Sequence, residues 1–293
     1  VNSAPPHHLP NITVAQLQYL VAAVDASTWA EAAAHLGVTQ SALSQGLAEL
    51  QRRVGVVLFE RQGRRRVPAA AAEPMVDHAR RVLAQTADLL LWADGIRAGA
   101  SGRVRIGMID AAAVDHFGNA LRRFRHDSGD VELHLTVAPS SQLVESLARG
   151  ELDLAVCVEP GRDDLTTERL LAEPLLAYPP PGEHSSRPSS WGPWVSFPVG
   201  SVTRRLIDNG LRARGASFDV VADSHQPEVL REMVRLGLGW TVLPPVQAER
   251  EPHPLRPIDD RPIANRHLVV ATRDGALPNP AADRLIEELR HGD

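Results

Sequence analysis

Ser41, Ser44, Gln45, Ala48 and Arg52 share one side of a segment whose other side carries Leu43, Leu47, Leu50 and Val54. At ~100° per residue the four apolar positions fall within about 60° of each other, which predicts a helix with one dry stripe and one wet stripe. The wet stripe is built mostly from hydroxyl, amide and methyl groups rather than charges. Such short groups can approach base edges closely. Gln bonds adenine in bidentate fashion, and Ser bonds several base edges or a phosphate. The bland alternative is an ordinary solvated helix surface. The next stretch, VGVVLFERQGRRRVPA, adds Arg61, Arg64, Arg65 and Arg66. A hairpin of Val56–Phe59 with Arg66–Val67 around Gln62-Gly63 would project these arginines as a thin wing. That shape suits phosphates or a narrow minor groove, against the alternative of a solvated charge run.

Nothing comparable supports covalent chemistry. The 12 His fall in no recognisable nucleophile, metal or cofactor motif, and no GxSxG, HExxH or GxGxxG fingerprint occurs. All 31 basic residues are Arg, which excludes a lysine Schiff base and a P-loop lysine. The single cysteine, Cys157, can form neither an intrachain disulfide nor a CxxC site, and it lies within the apolar strand pattern LDLAVCV. A thiol-based redox sensor needs a reactive cysteine and usually a partner, so Cys157 reads as core. No enzymatic activity, cofactor or metal is expected.

The elements that position these residues follow from pattern and punctuation. With 293 residues the chain has room for about two domains. Its net charge of −5 argues weakly against nucleic acid, but the distribution points the other way. Residues 1–67 hold six Arg and four acids, whereas residues 99–293 hold 22 Arg and 28 acids. A local cluster outweighs the total, because screening confines each charge to roughly a 10 Å neighbourhood. Thr13 and Thr28 open capping-box patterns, Gly37 supplies a turn, Thr39 caps the third helix and Gly55 stops it. A helix, a Gly-containing turn and a second, polar-faced helix make a helix-turn-helix. Across 74–97, Met75, Ala79, Val82, Thr86, Leu89, Ala93 and Ile96 recur at alternating spacings of four and three, beside Val76, Leu83 and Leu90. This is a seam suited to pairing with a second helix, or to packing on the same chain. AGASGR at 98–103 reads as a hinge. From 104 onward strands and helices alternate, implying a parallel α/β sheet in two lobes, with crossovers near 178–193 and 259–266. Ligands of such sheets bind beyond the strand C-termini. No apolar run is long enough to span a membrane and the N-terminus lacks a secretory pattern, so a cytoplasmic location is expected.

Residues 12–97, through QLQYLVAAVDASTWAEAAAHLGVTQSALSQGLAELQRRVGVVLFER and RRRV, resemble the DNA-binding domain and linker helix of the LysR-type transcriptional regulators. Residues 103–290, through GRVRIGMID, LARGELDLAV, WVSFPVGS and VRLGLGWTVLP, resemble that family's effector-binding domain, a type 2 periplasmic-binding-protein-like fold. The resemblance implies an α/β protein with an N-terminal all-α winged helix-turn-helix at 1–70 and a linker and dimerisation helix at 71–98. It implies an effector domain at 103–293, with lobe I at about 103–178 and 266–293 and lobe II at about 179–265. The expected function is transcriptional regulation controlled by a small-molecule effector. The expected partners are double-stranded operator DNA, the effector, a homodimer or homotetramer, and RNA polymerase in the case of an activator, with no membrane. By this resemblance Thr39, Gln40, Ser41, Ser44 and Gln45 contact bases, and Arg52, Arg61, Arg64, Arg65 and Arg66 contact backbone or minor groove. Ser41 and Gln45 stand where the family often has Pro and Arg, which changes the bases read. Pro68 and Ala71 replace its usual Thr and Gly after the wing. The ligand cleft maps onto Ile109, Asp110 and Ala111, onto Pro139, Ser140 and Ser141, onto Ser201, Val202 and Thr203, and onto the 224–226 loop with His225. Helix N-termini at two of these loops favour anionic groups. Asp110 disfavours an anion at its spot, so the effector is less acidic than a dicarboxylate or carries an amine, unless Asp110 merely caps the following helix. A transport solute-binding protein is the remaining rival, and it leaves the first 100 residues unexplained.

Overall fold

The computed structural model describes residues 11–62, 65–98 and 102–292. The chain divides into two compact units, Val1–Leu90 and Leu91–Asp293.

In the first unit, α1 (Val14–Asp25), α2 (Trp29–His35) and α3 (Gln40–Val54) surround Leu17, Leu20, Ala32, Ala33, Leu43, Leu47 and Leu50. Each start has its expected cap. The Thr13 hydroxyl accepts from the Gln16 amide while Gln16 accepts from the Thr13 amide, a closed capping box. Thr28 accepts from the Glu31 amide, but the Glu31 carboxylate returns to Ser27 rather than to Thr28, so this second box is displaced by one residue. Gly37 and Gly55, at φ 66° and 72°, supply the left-handed turns that end α2 and α3.

The hairpin differs from expectation. Its strands are β1 (Phe59–Gln62) and β2 (Arg65–Pro68), antiparallel, with Phe59 opposite Pro68 and Gln62 opposite Arg65. Val56 and Val57 are not in a strand and lie exposed. The chain leaving Gly55 is held instead by Leu58, which is fully buried and donates its amide to Gln51 Oε1 at 3.0 Å. Gly63 and Arg64 lie outside the described residues, as do residues 99–101 of the expected hinge.

The long helix α4 (Glu73–Ala98) splits the predicted seam in two. Val76 and Ala79 are buried in the core of the first unit, with Met75, Val82 and Leu83 packed against it. Leu89, Leu90 and Trp92 are 51%, 61% and 46% exposed. The seam's first half is therefore intrachain packing, and in its second half Leu89 and Leu90 are uncovered. The side chain of Ile96 lies outside the described residues.

The second unit holds β3 (Arg103–Met108), β4 (Glu132–Val137), β5 (Leu154–Val158), β6 (Leu165–Tyr178), β7 (Trp194–Ser196), β8 (Val220–Asp223), β9 (Thr241–Leu243) and β10 (Ala264–Arg273). Six form one sheet in the order β4-β3-β5-β10-β6-β9, and β7 pairs in parallel with β8. The sheet is mixed rather than parallel. β3 runs parallel to β4 and β5, but β10 is antiparallel to β5 and β6. β6 is the element absent from the sequence reading. Its first half is charged and exposed and carries no apolar alternation.

Two cores occupy this unit. One runs through Val104–Leu165 and Leu268–Leu289, the other through Leu175–Ile263. The passages between them fall inside continuous strands. β6 crosses at about 172–174, before the expected 178–193, and β10 crosses at about 265–267. Glu173 and Arg266 are register partners at these two crossings, and each is 3% exposed. The Arg266 Nε donates to Glu173 Oε2 at 2.6 Å, and His116 Nε2 lies 2.5 Å from Glu173 Oε1. Burial pushes the Glu173 carboxyl up, but His116 and Arg266 outweigh it and hold it below its ordinary 4.5. Its contribution is therefore complete above that value and is lost as pH falls through the lowered one. Glu173→Gln leaves Arg266 as a buried charge without its counter-ion, which costs about 3–5 kcal/mol. Urea unfolding should show a loss of that size for the transition of the second unit. A loss below about 1 kcal/mol would mean that the pair is dispensable.

Candidate nucleic-acid interface and ligand cleft

Helix α3 presents its polar face because its leucines are anchored beneath it. Thr39, Gln40, Ser41, Gln45, Ala48 and Arg52 are exposed and Ser44 is half-buried, while Leu43 and Leu50 are fully covered. Thr39 is occupied as the cap, its hydroxyl accepting from the Ala42 amide at 3.1 Å. Gly46 lets Tyr19 of α1 lie directly on α3, since a Cβ there would sit 2.5 Å from the ring. That contact sets how α3 is held on α1.

The arginines are less free than the sequence suggests. Arg52 forms a two-point pair with Glu49 at 2.8 and 2.5 Å, and Arg53 adds a third bond at 2.5 Å. These bonds hold the Glu49 carboxyl down at about 2. The pairs lie at the surface, where water and salt weaken them, so a phosphate can compete for Arg52. Arg66 is stacked over the Trp29 ring, its Cζ 4.4 Å from the centroid, and Trp29 meets Phe59 edge-on at 5.1 Å. Arg61 stands directly opposite Arg66 in the hairpin. Like charges facing across strands are unfavourable until an anion joins them. Arg64 lies outside the described residues, as does the side chain of Arg65.

In the second unit the predicted loops gather at strand ends. Met108 and Val137 end β3 and β4 side by side, so the 109–111 and 139–141 loops adjoin. The Val158 amide at the end of β5 donates to Ser140 Oγ at 3.2 Å. In the other lobe, β7 and β8 end together at Ser196 and Asp223, gathering the 197–203 and 224–226 loops. Ser201 caps α5 (Val202–Ala213), and Val202 packs against the first lobe's core, placing this helix start at the boundary between lobes. Thr203 is buried, Ser141 and His225 are exposed, and Pro139 is half-buried. Ile109 and Ala111 belong to the core of the first lobe, so Asp110 is the side chain that its loop presents.

Asp110 is not the expected cap. The helical turn begins with the Ala113 amide bonding to Ile109 O, and Asp110 follows that start with no cap bond. The turn then widens into a single π-turn over Ala112–His116, closed by the Phe117 amide on Ala112 O. Residues five apart are brought together by that spacing, so Asp115 joins Asp110. In an α-helix they would be about 140° apart, and the sequence reading missed Asp115 for this reason. Asp115 is met by Arg250 of the second lobe at 3.1 Å, and Arg250 also lies 3.9 Å from Glu228. Burial pushes both aspartates above the ordinary range. For Asp110, Glu228 adds to this and Arg250 and Arg266 oppose it; for Asp115, Arg250 and Gln247 oppose it. Cys157 is fully buried in β5, and burial pushes its thiol up to about 12, the opposite of a reactive thiolate. Among the described residues no group of three or more His, Cys, Asp or Glu is placed to hold a metal, and no helix is long and apolar enough to cross a membrane.

Two family profiles match this chain. The bacterial regulatory helix-turn-helix protein, lysR family, covers residues 14–73, and the LysR substrate binding domain covers residues 97–293. The HTH-type transcriptional regulator IlvR of Caulobacter vibrioides is 27% identical over 288 residues, spanning 94% of this chain and 97% of that protein. Full-length OxyR from Pseudomonas aeruginosa has the same fold, with a TM-score of 0.64 at 24% identity over 97% of this chain and 95% of that one. CbnR, solved in complex with its target DNA, gives 0.62 at 19% identity over 95% of this chain and 99% of that one. A helix-turn-helix with an exposed polar face, followed by a two-lobed α/β unit with loops gathered at a cleft, matches both profiles, and the chain belongs to the LysR family of bacterial transcriptional regulators.

Proposed function

We propose that residues 1–70 read duplex DNA, that 71–98 pair two chains, and that 103–293 bind a small-molecule effector between lobes. Gln40, Ser41, Ser44 and Gln45 make the base contacts, with Thr39 at the helix start. Arg52, Arg61, Arg64, Arg65 and Arg66 hold phosphate or minor groove. The observation that carries this reading is the polar, sparsely charged face of α3, turned out opposite three buried leucines. The protein acts in the cytoplasm, without catalysis, as a homodimer or homotetramer, and with RNA polymerase where it activates. The effector meets Asp110, Ser140, Ser141, Ser201, Thr203 and His225, and the two helix starts receive any anionic part of it.

Selection from a random duplex pool should enrich a pseudo-palindrome whose half-sites are spaced by about one helical turn or a multiple. Gln45→Ala should cost about 1–3 kcal/mol on that duplex and relax the preference at one base position. Equal losses on the selected duplex and on random DNA would remove Gln45 from base reading.

Pairing is assigned to the uncovered half of α4. Leu89→Glu sets a charge into an apolar contact. Sedimentation should show a lighter species and the footprint should shrink to one half-site. A mutant that sediments like the parent would place the dimer contact elsewhere.

A further inference from the structure

The arginines of the first unit differ in what already holds them. Arg52 and Arg53 share Glu49, and Arg80 meets Asp25 at 2.6 Å and Asp77 at 3.8 Å. Arg61 and Arg66 are exposed, and neither meets a carboxylate among the described residues. They stand directly opposite each other in the hairpin, and both line one hollow of about 270 Å³ between the hairpin and the C-terminal half of α3. Cross-strand partners share a face of the pleat, so the two guanidiniums start from neighbouring positions. Glu60 is the carboxylate-bearing residue along this hollow, and strand alternation sets its side chain on the opposite face from Arg61. Counting it in full still leaves one positive charge, which one phosphodiester neutralises.

Two contacts prepare the hollow. The Trp29 ring, also in its wall, covers one face of the Arg66 guanidinium at 4.4 Å and leaves the in-plane N–H groups free. Arg66 is therefore oriented before any anion arrives. On the α3 side, Gln51 lines the hollow, and its Oε1 is taken by the Leu58 amide at 3.0 Å. That bond fixes the plane of the side-chain amide. Its Nε2 is left as an oriented donor with no acceptor among the described residues.

We propose that Arg61 and Arg66 grip a single backbone phosphate of the duplex, with Gln51 Nε2 as third donor and Trp29 as the residue that positions Arg66. The proposal rests on the reading of α3 and the hairpin as the DNA reader, and it assigns two of that reader's arginines to one phosphate rather than two. An anion between them relieves the repulsion of facing like charges. Each guanidinium offers paired N–H groups that match phosphate oxygens. Ala48 carries the polar face of α3 into the hollow, so the gripped phosphate flanks the bases assigned to Ser44 and Gln45.

The test uses the full chain and the selected duplex, with a neutral methylphosphonate replacing one phosphate at a time. Arg61→Gln and Arg66→Gln should each lose the response to methylphosphonate at the same position of the half-site. The variant carrying both changes should lower the slope of log K against log salt by about 0.9 per half-site. Responses lost at two different positions, or a slope lowered by about 1.8 per half-site, would overturn the shared phosphate. Gln51→Glu keeps an acceptor for the Leu58 amide and removes the donor. It should weaken binding to the ordinary duplex and not to the one neutralised at that position; equal weakening of both would remove Gln51 from the site. Trp29→Leu should reduce the response at the same position and Trp29→Phe should restore it. A full response in Trp29→Leu would mean that the ring only packs. If no position responds to either arginine while Gln45→Ala still relaxes one base preference, the phosphate site fails and the DNA reader stands. If Gln45→Ala also loses selected and random duplexes equally, the reader itself fails.

Discussion

The buried Glu173 carboxylate is where the effector-binding unit is joined. Two strands, β6 and β10, run through both lobes, and each changes core at the residue that carries half of one ion pair. Glu173 holds Arg266 with one oxygen and His116 with the other. His116 belongs to the π-turn that also carries Asp115, so the hinge pair and the cleft contact Asp115–Arg250 share a single turn of chain. A rearrangement at the cleft therefore reaches the hinge through adjacent residues. A ligand moves such a system only by binding one lobe arrangement better than another. Groups that belong to different lobes are the ones able to provide that difference.

The DNA-reading unit works under a different constraint, the need to keep cations available without leaving them unmatched. Glu49 holds Arg52, and Trp29 carries Arg66 on its ring. Both contacts are weak enough at the surface for a phosphate to replace them, and both orient an arginine in advance. The acidic total of the chain does not oppose this, because the excess of acids lies beyond residue 98 while the wing remains locally basic. Helix α4 then divides its work along its length, with Val76 and Ala79 belonging to the reader and Leu89, Leu90 and Trp92 left for another surface.

Local signals carried far in the sequence. Thr13, Thr28, Thr39, Gly37 and Gly55 mark their helix boundaries by capping chemistry that needs no distant partner, and the leucines of α3 announce its buried side. Nonlocal arrangements did not show. β6 lacks apolar alternation because its first half is an exposed, charged stretch, and its direction relative to β10 depends on pairing 89 to 108 residues away. Asp115, Glu173, Arg250 and Arg266 are scattered charges with no motif, brought together by a π-turn and by strand register. The family resemblance maps Ile109 and Ala111 onto the cleft together with Asp110, but their side chains belong to the core. The sequence pattern proposes a site through its loops, and the charges gathered beside those loops are visible only in the fold.

The claim that the Glu173–Arg266 pair fixes the lobes can be measured as a distance. Spin labels at Asp130→Cys in the first lobe and Val199→Cys in the second stand on exposed positions, and Cys157 is too buried to label. With labelled chain diluted into unlabelled chain, pulsed electron resonance should give one narrow distance for the otherwise unchanged protein. Replacing both charges together, Glu173→Gln with Arg266→Gln, leaves no unmatched ion and should broaden that distribution while the second unit still unfolds cooperatively. An equally narrow distribution at the same distance would show that the lobes are held by something other than this pair.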